Sequence, residues 1–376
     1  MRDNLQKFNL VTSLYIHYPF CRHLCNYCDF YKTIPQDNSK KEYHTLLDEM
    51  WKTHENFLEN QNYSFGKLQS LYIGGGTPSL WGSEGIAYLE DRFERWKISF
   101  EKDYEFTLEV NPGSWTEPVI KGWKDLGVNR FSLGIQSLRD DYLKTLDRVH
   151  STSDVHKTLK FFNEINANFS VDFMLGLPLS VKNHRDIIAE LEEILEYDPA
   201  HLSLYILTPK SGYPLKSTLP KDDFLSAEYL RVVDFLASRN IHQYEVSNFA
   251  VKGKESLHNL QYWKCYSVAA LGPSGVGYLS KKNLRYKWKV SSSEMAFENL
   301  KPDSIDLERL YMGLRLNEGI EINDHFSSEE LPNLMLLFQR WENEGLAELR
   351  DGKLALKASG LIILDSLIGQ IFAETT

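Results

Sequence analysis

The sequence predicts an α/β fold: a parallel sheet of six strand–helix units curled into a partial (β/α)6 barrel, followed by a small winged-helix-like α+β domain. Three observations predict it. Short apolar runs alternate with longer amphipathic ones from residue 14 to about residue 207. Glycine and polar clusters recur at the ends of the apolar runs. Beyond residue 300 the alternation gives way to two helical runs and a hairpin.

The strands are expected at Leu14–His17, Leu68–Ile73, Glu105–Val110, Arg130–Leu133, Phe169–Met174 and Leu202–Leu207. Helical periodicity falls between them at Lys41–Glu59, Ser83–Trp96, Glu117–Leu126, Arg139–Leu146, Val155–Ile165 and His184–Leu195. Ser83 before Glu84, Thr116 before Glu117–Pro118 and Ser153–Asp154 before Val155 are expected to start three of these helices. Strand-then-helix repeats imply parallel strands joined by right-handed crossovers. A doubly wound flat sheet gives the same string of elements. In either arrangement ligands bind at the carboxyl ends of the strands. Five motifs fall there in turn: the cysteine loop, "GGGTPS", "EVNPGS", "SLGIQS" and "VDFMLG".

Residues 241–290 lose the alternation and read as a connecting or ligand-contact segment. Within it "KKNLRYKWK" (Lys281 to Lys289) reads as an exposed β-ribbon with a solvated edge. From Asp303 onward come helical runs at Ile305–Arg315 and Leu331–Glu344, then a hairpin turning at Asp351–Gly352. The expected domains are therefore residues 1–240, a connecting segment 241–300, and a C-terminal domain 301–376.

Composition restricts the function. With 42% apolar and 25% charged residues the chain is a folded one, and no run approaches the ~18 apolar residues of a membrane span. The opening "MRDNLQKFNLVTS" lacks the pattern of a secretory signal, so a cytoplasmic location is expected, with peripheral membrane contact left open. Four cysteines in a reducing compartment are ligands or bystanders rather than disulfides. A net charge of −10 argues against nucleic acid. The C-terminal domain carries seven basic against fourteen acidic residues, a net of −7, and is read as a cap or protein contact.

Three of the four cysteines, Cys21, Cys25 and Cys28, stand as C-x3-C-x2-C in the loop after the first strand. A structural zinc site needs four ligands. His17 or His23 could supply the fourth, but His17 lies in the strand and no second cysteine pair follows. Three thiolates on one short loop suit a [4Fe–4S] cluster with one iron open to a small chelating molecule. Cys265 stands apart and is read as a bystander.

This spacing, with Tyr27 before the last cysteine, resembles the radical S-adenosylmethionine (SAM) superfamily. The resemblance implies that the methionyl amino and carboxylate groups bind the open iron, and that the reduced cluster cleaves SAM to a 5′-deoxyadenosyl radical. It implies that Gly75, Gly76 and Thr77 meet the SAM amino group; Glu109 ends the apolar strand "FTLEV", where a carboxylate needs a partner such as an ammonium or ribose hydroxyls. It also implies that Gln136, Arg148 and Asp172 hold the adenosine and the carboxylate, and that Tyr15 packs against the ligand. Bland readings stand beside these: Asp172 as a cap, Arg148 paired with Asp147 or Glu164.

"YIHYPFC", "GVNRFSLGIQS", "DRVH", "VDFMLGLP" and "YEVSNFA" with "HNLQYW" narrow the resemblance to the oxygen-independent coproporphyrinogen oxidase family. Its oxidase branch carries C-x3-C-x2-C-x-C and a long N-terminal arm. Here Phe30 stands at the fourth cysteine position and 20 residues precede Cys21, features that resemble the heme-chaperone branch instead. That branch implies heme and heme-accepting proteins as partners, and a flavodoxin or ferredoxin as a reducing partner. In it His258 is a candidate axial ligand, with Tyr262 and Trp263 as flat contacts to the macrocycle. The alternative is oxidative decarboxylation of coproporphyrinogen propionates. Two departures from the family pattern are Val276 where a histidine is common and Lys210 where an acid is common.

Overall fold

The computed structural model describes residues 9–375. The first eight residues, part of the segment read as lacking a secretory signal, and Thr376 lie outside them.

In chain order the elements are β1 (Asn9–Tyr18), α1 (Ser39–Asn60), β2 (Tyr63–Gly75), α2 (Gly82–Arg95), β3 (Phe100–Val110), α3 (Glu117–Leu126), β4 (Arg130–Gln136), α4 (Asp140–Thr145) and α5 (Thr152–Glu164). There follow β5 (Phe169–Leu175), α6 (Ile187–Leu195), β6 (His201–Ile206), α7 (Asp222–Ser238), β7 (His242–Glu245), β8 (Asn248–Ala250), α8 (Leu257–Trp263), β9 (Ala269–Leu271), β10 (Val276–Leu279), β11 (Leu284–Trp288) and β12 (Met295–Asn299). The chain ends with α9 (Pro302–Leu314), β13 (Ile320–Glu321), α10 (Ile322–His325), α11 (Leu331–Asn343), β14 (Ala347–Arg350), β15 (Lys353–Leu356), α12 (Ala358–Ile362) and α13 (Leu364–Thr375). All six expected strands, β1 to β6, and the helices expected between them are present.

The chain forms two compact units, with the division falling inside β5. The first comprises residues 1–170, 256–262 and 266–300. Its sheet runs β4-β3-β2-β1-β9, all parallel. One face of these strands is apolar, with Leu14, Ile16, Leu71, Ile73, Leu108 and Leu133 fully buried, while the alternate positions Ser13, Tyr15, Ser70, Tyr72, Glu105, Thr107 and Glu109 make the other face polar. Helix α5 starts on a capping box between Ser151 and Asp154, two residues before the expected start, because the Ser151 hydroxyl reaches the Asp154 N–H. Helix α2 begins at Gly82, without the expected side-chain cap. The basic run forms a ribbon as expected, yet its strand β11 is the centre of the β10-β11-β12 sheet rather than an edge. Leu284, Tyr286 and Trp288 point inward from it while Lys287 is exposed.

The second unit comprises residues 171–255, 263–265 and 301–376. Its strands follow the order β7-β8-β6-β5, with β8 antiparallel to both β6 and β7. A second apolar core gathers Leu314, Leu334, Phe338, Trp341, Leu354 and Leu367 around the small sheet β13-β15-β14. The expected hairpin is β14–β15; Asp351 and Gly352 both adopt positive φ, at 49° and 82°, as a tight Asp-Gly turn demands. Among the described residues no helix is long and apolar enough to cross a membrane.

Candidate functional site

The cysteine loop is tied down at both ends. Cys21 N–H donates to the Thr33 carbonyl at 2.9 Å and Thr33 N–H donates to the Pro19 carbonyl at 2.8 Å, closing residues 21–33 into a loop at the end of β1. Gly76 N–H donates to Tyr18 and Thr77 N–H to Phe20, at 2.7 and 2.9 Å, which holds the glycine loop after β2 against the same strand end. A Cβ on Gly76 would lie 2.7 Å from the Phe20 carbonyl oxygen, so this approach requires glycine. Lys32 Nζ donates to the Cys28 carbonyl at 2.5 Å.

These two loops line one cavity. Cys21, Cys25, Cys28, Gly76, Thr77 and Arg148 face it, together with Asn111 and the Pro112–Ser114 turn after β3. Thr77 Oγ1 donates to Cys21 Sγ at 3.5 Å and accepts from Asn111 Nδ2 at 3.0 Å. Arg148 donates to Asn111 Oδ1 at 2.7 Å and to the Gly134 carbonyl at 2.8 Å, and it reaches the Tyr27 hydroxyl at 3.5 Å. It pairs with neither Asp147 nor Glu164; the carboxylate of Asp147 instead lies 2.8 Å from His23 Nε2. Burial pushes the Cys21 and Cys25 thiols up, while Arg148 pulls Cys25 the other way.

The residues fit a bound cluster. All four cysteines are thiols, and three surround one cavity. His17 is engaged elsewhere, its Nδ1 paired with the Tyr15 hydroxyl at 3.0 Å and its Nε2 with the Tyr31 carbonyl at 2.8 Å, whereas His23 lines the cavity beside the thiols and pairs with Asp147. Buried thiols resist ionisation without a positive partner, and a cationic cluster supplies one.

Behind the glycine loop, Glu109 at the end of β3 accepts from Gly75 N–H at 3.0 Å and from the Tyr72 hydroxyl at 2.9 Å. A Cβ on Gly74 would lie 2.8 Å from Glu109 Oε1, so the carboxylate needs the bare glycine backbone. Gln136 ends β4 with φ 67°, its side-chain amide beside Gly134. Tyr15, Tyr27, Gly75 and Glu109 are not among the cavity-lining residues. Asp172 lies on β5 in the second unit.

His258 lies inside the fold. It is 1% exposed, and Nδ1 pairs with Ser70 Oγ at 2.9 Å. Its ring stacks on Tyr72 at 5.2 Å, and Tyr262 covers its edge at 5.3 Å. Nε2 is enclosed and has no hydrogen-bond partner among the described residues. A heme iron cannot reach this nitrogen while α8 is docked, so the hydrogen-bonded core histidine is what the structure contains. Trp263, in the second unit, lies under the Arg315 guanidinium at 4.4 Å.

The family model for the radical SAM superfamily matches residues 15–191. The heme chaperone HemW of Lactococcus lactis is 30% identical over 93% of this chain and 91% of its own length. The chain belongs to the HemW family of radical SAM proteins. The mitochondrial radical S-adenosyl methionine domain-containing protein 1 of Danio rerio is 32% identical over 99% of this chain and 89% of its own. Coproporphyrinogen III oxidase (HemN) of Escherichia coli superposes with a TM-score of 0.76 at 18% identity, covering 97% of this chain and 90% of HemN, a likeness of fold. The fold is thus the radical SAM partial barrel with a small C-terminal α+β domain, as expected.

Sequence reasoning missed Asn111, which bridges Thr77 and Arg148, although "EVNPGS" marked its strand end. It also missed Tyr72 and Glu105, whose apolar-run positions gave no sign of their hydrogen bonds.

Proposed function

We propose that this protein is a heme chaperone that carries a [4Fe–4S] cluster on Cys21, Cys25 and Cys28 and holds SAM beside it. The observation that carries the reading is the match to HemW along nearly the whole chain, joined to three thiols around one cavity. When bound, the cluster supplies one-electron chemistry and an open iron for SAM. The protein's own residues do the rest. Gly75, Gly76, Thr77 and Glu109 offer backbone and carboxylate partners for an ammonium group. Arg148, fixed by Asn111 and Gly134, offers a cation to a carboxylate. Gln136, Tyr15, Tyr27 and Asp172 are assigned to the adenosine side and its surroundings. Phe30, in the place of the oxidase branch's fourth cysteine, supports chaperone over oxidase by its identity. Heme, heme-accepting proteins and a flavodoxin or ferredoxin are the proposed partners, in the cytoplasm.

The test uses anaerobically purified protein with a reconstituted cluster. Heme is titrated with and without SAM, and coproporphyrinogen III turnover is assayed alongside. The expected result is a saturable Soret band without protoporphyrinogen formation. Conversion of coproporphyrinogen III would overturn the chaperone reading in favour of the oxidase.

A further inference from the structure

We infer that His258 is a positioning residue of the SAM site, acting through Tyr72 on Glu109. The inference rests on the SAM reading above and gives the "HNLQYW" segment a role different from heme ligation.

Two parallel strands build the connection. On β2, Ser70 and Tyr72 alternate onto one face; on β3, Glu105, Thr107 and Glu109 do the same. Their register sets Ser70 opposite Glu105 and Tyr72 opposite Thr107. Glu105, 8% exposed, accepts from Leu257 N–H at 2.8 Å, His258 N–H at 3.1 Å and the Ser256 hydroxyl at 3.2 Å, which fixes the start of α8 on this face. Ser70 then fixes the His258 ring, leaving it stacked on Tyr72 with 29° between planes. Tyr15, paired with Tyr72 across β1 and β2, lies 6.3 Å from His258 on its other neighbour. Tyr72, packed against both of these rings at 5.2 and 6.1 Å, directs its hydroxyl to Glu109 Oε1. That leaves Glu109 Oε2 on Gly75 N–H, and so sets the carboxylate against the glycine loop. Burial holds the imidazole neutral, its pKa lowered to about 3, so the ring adds no charge beside this carboxylate.

The test uses the full chain with a reconstituted cluster, and reads SAM affinity by calorimetry, the SAM-induced change in the EPR signal of the reduced cluster, and a separate heme titration. His258→Ala is expected to weaken SAM about tenfold and blunt the EPR change, with iron content and heme binding unchanged, on the scale of one hydrogen bond to a charged group. Tyr72→Phe is expected to match it, and the double variant to be no worse than either alone, since both act at Glu109. Ser70→Ala, a smaller change, should weaken SAM in the same direction and serves if His258→Ala folds poorly. Unchanged SAM affinity in these variants overturns the inference. So does loss of heme binding with SAM affinity retained, which would make His258 a heme ligand. Wild-type protein that takes up the cluster but no SAM sinks the SAM reading itself, and the inference with it.

Discussion

The His17 imidazole occupies the space a side chain on Gly75 would need: a Cβ built there lies 2.6 Å from His17 Cε1. Gly75 also has φ 114°, outside the range L-residues adopt comfortably. His17 cannot yield easily, because its two ring nitrogens hold Tyr15 and the Tyr31 carbonyl. Gly75→Ala should therefore cost about 3 kcal/mol, combining backbone strain with overpacking. Urea unfolding of the two proteins measures this. A loss below about 0.5 kcal/mol would mean that the loop relaxes at no cost.

The cluster assignment makes a paired prediction. Cys21→Ser, Cys25→Ser and Cys28→Ser should each lose most of the iron and sulfide taken up on reconstitution. Phe30→Cys should leave both unchanged, because Phe30 is 69% exposed and is not among the residues that line the thiol cavity. Iron and sulfide per chain are the measurements. A gain of cluster stability in Phe30→Cys would show that the position faces the cluster after all.

What the sequence made legible was whatever lies along the chain. The six strands were readable because one buried face puts apolar residues at alternate positions, and the cysteine and glycine motifs because they stand within a few residues of each other. Helix α7, strands β7 to β9 and the last two helices were not placed. Strands β8 and β9 are three residues long, too short for a period to show. The links between motifs were also hidden. Nothing local connects Glu105 to Leu257, 152 residues away, or tells that Asn111 bridges Thr77 and Arg148. The packing of His258 was hidden for a related reason: a motif histidine looks the same whether it awaits an iron or packs on Tyr72.

Arg148 uses the planar fork of its guanidinium, with one terminal nitrogen donating to both Asn111 and the Gly134 carbonyl. A lysine ammonium cannot hold both and Tyr27 in the same geometry. Arg148→Lys should weaken SAM binding by about tenfold, the worth of one charge-assisted hydrogen bond, while leaving iron content intact. Calorimetric SAM titration checks the first and iron analysis the second.

In the second unit, Glu245 is fully buried and accepts from Ser247 N–H at 2.9 Å and from Arg315 Nη2 at 3.1 Å. Arg315 meanwhile lies over the Trp263 ring. Glu245→Ala leaves that guanidinium without its carboxylate, so the loss should be about 3–5 kcal/mol. Replacing both, as Glu245→Leu with Arg315→Met, should recover much of it. Thermal unfolding of the single and double variants decides; equal losses would mean the ion pair is not what stabilises this corner.

Three buried histidines of the first unit make its stability pH-dependent. Burial lowers His54 and His258 to about 3 and, with Arg148 nearby, His150 to about 4. In the unfolded chain each titrates near 6.5, so between there and about pH 4 the unfolded state binds more protons than the folded one. Stability is therefore complete above pH 6.5 and falls as the pH drops, with a slope approaching three protons per chain from these groups. The enclosed, unpartnered nitrogens His54 Nδ1 and His258 Nε2 give the physical reason, since an added proton there would find no acceptor. Urea unfolding from pH 7.5 to 4.5 measures the slope. His54→Phe, which keeps a ring in place but loses the bond to the Tyr286 hydroxyl, should be less stable at pH 7 and should flatten the slope by about one proton. An unchanged slope in that variant would mean that His54 already carries its proton in the fold.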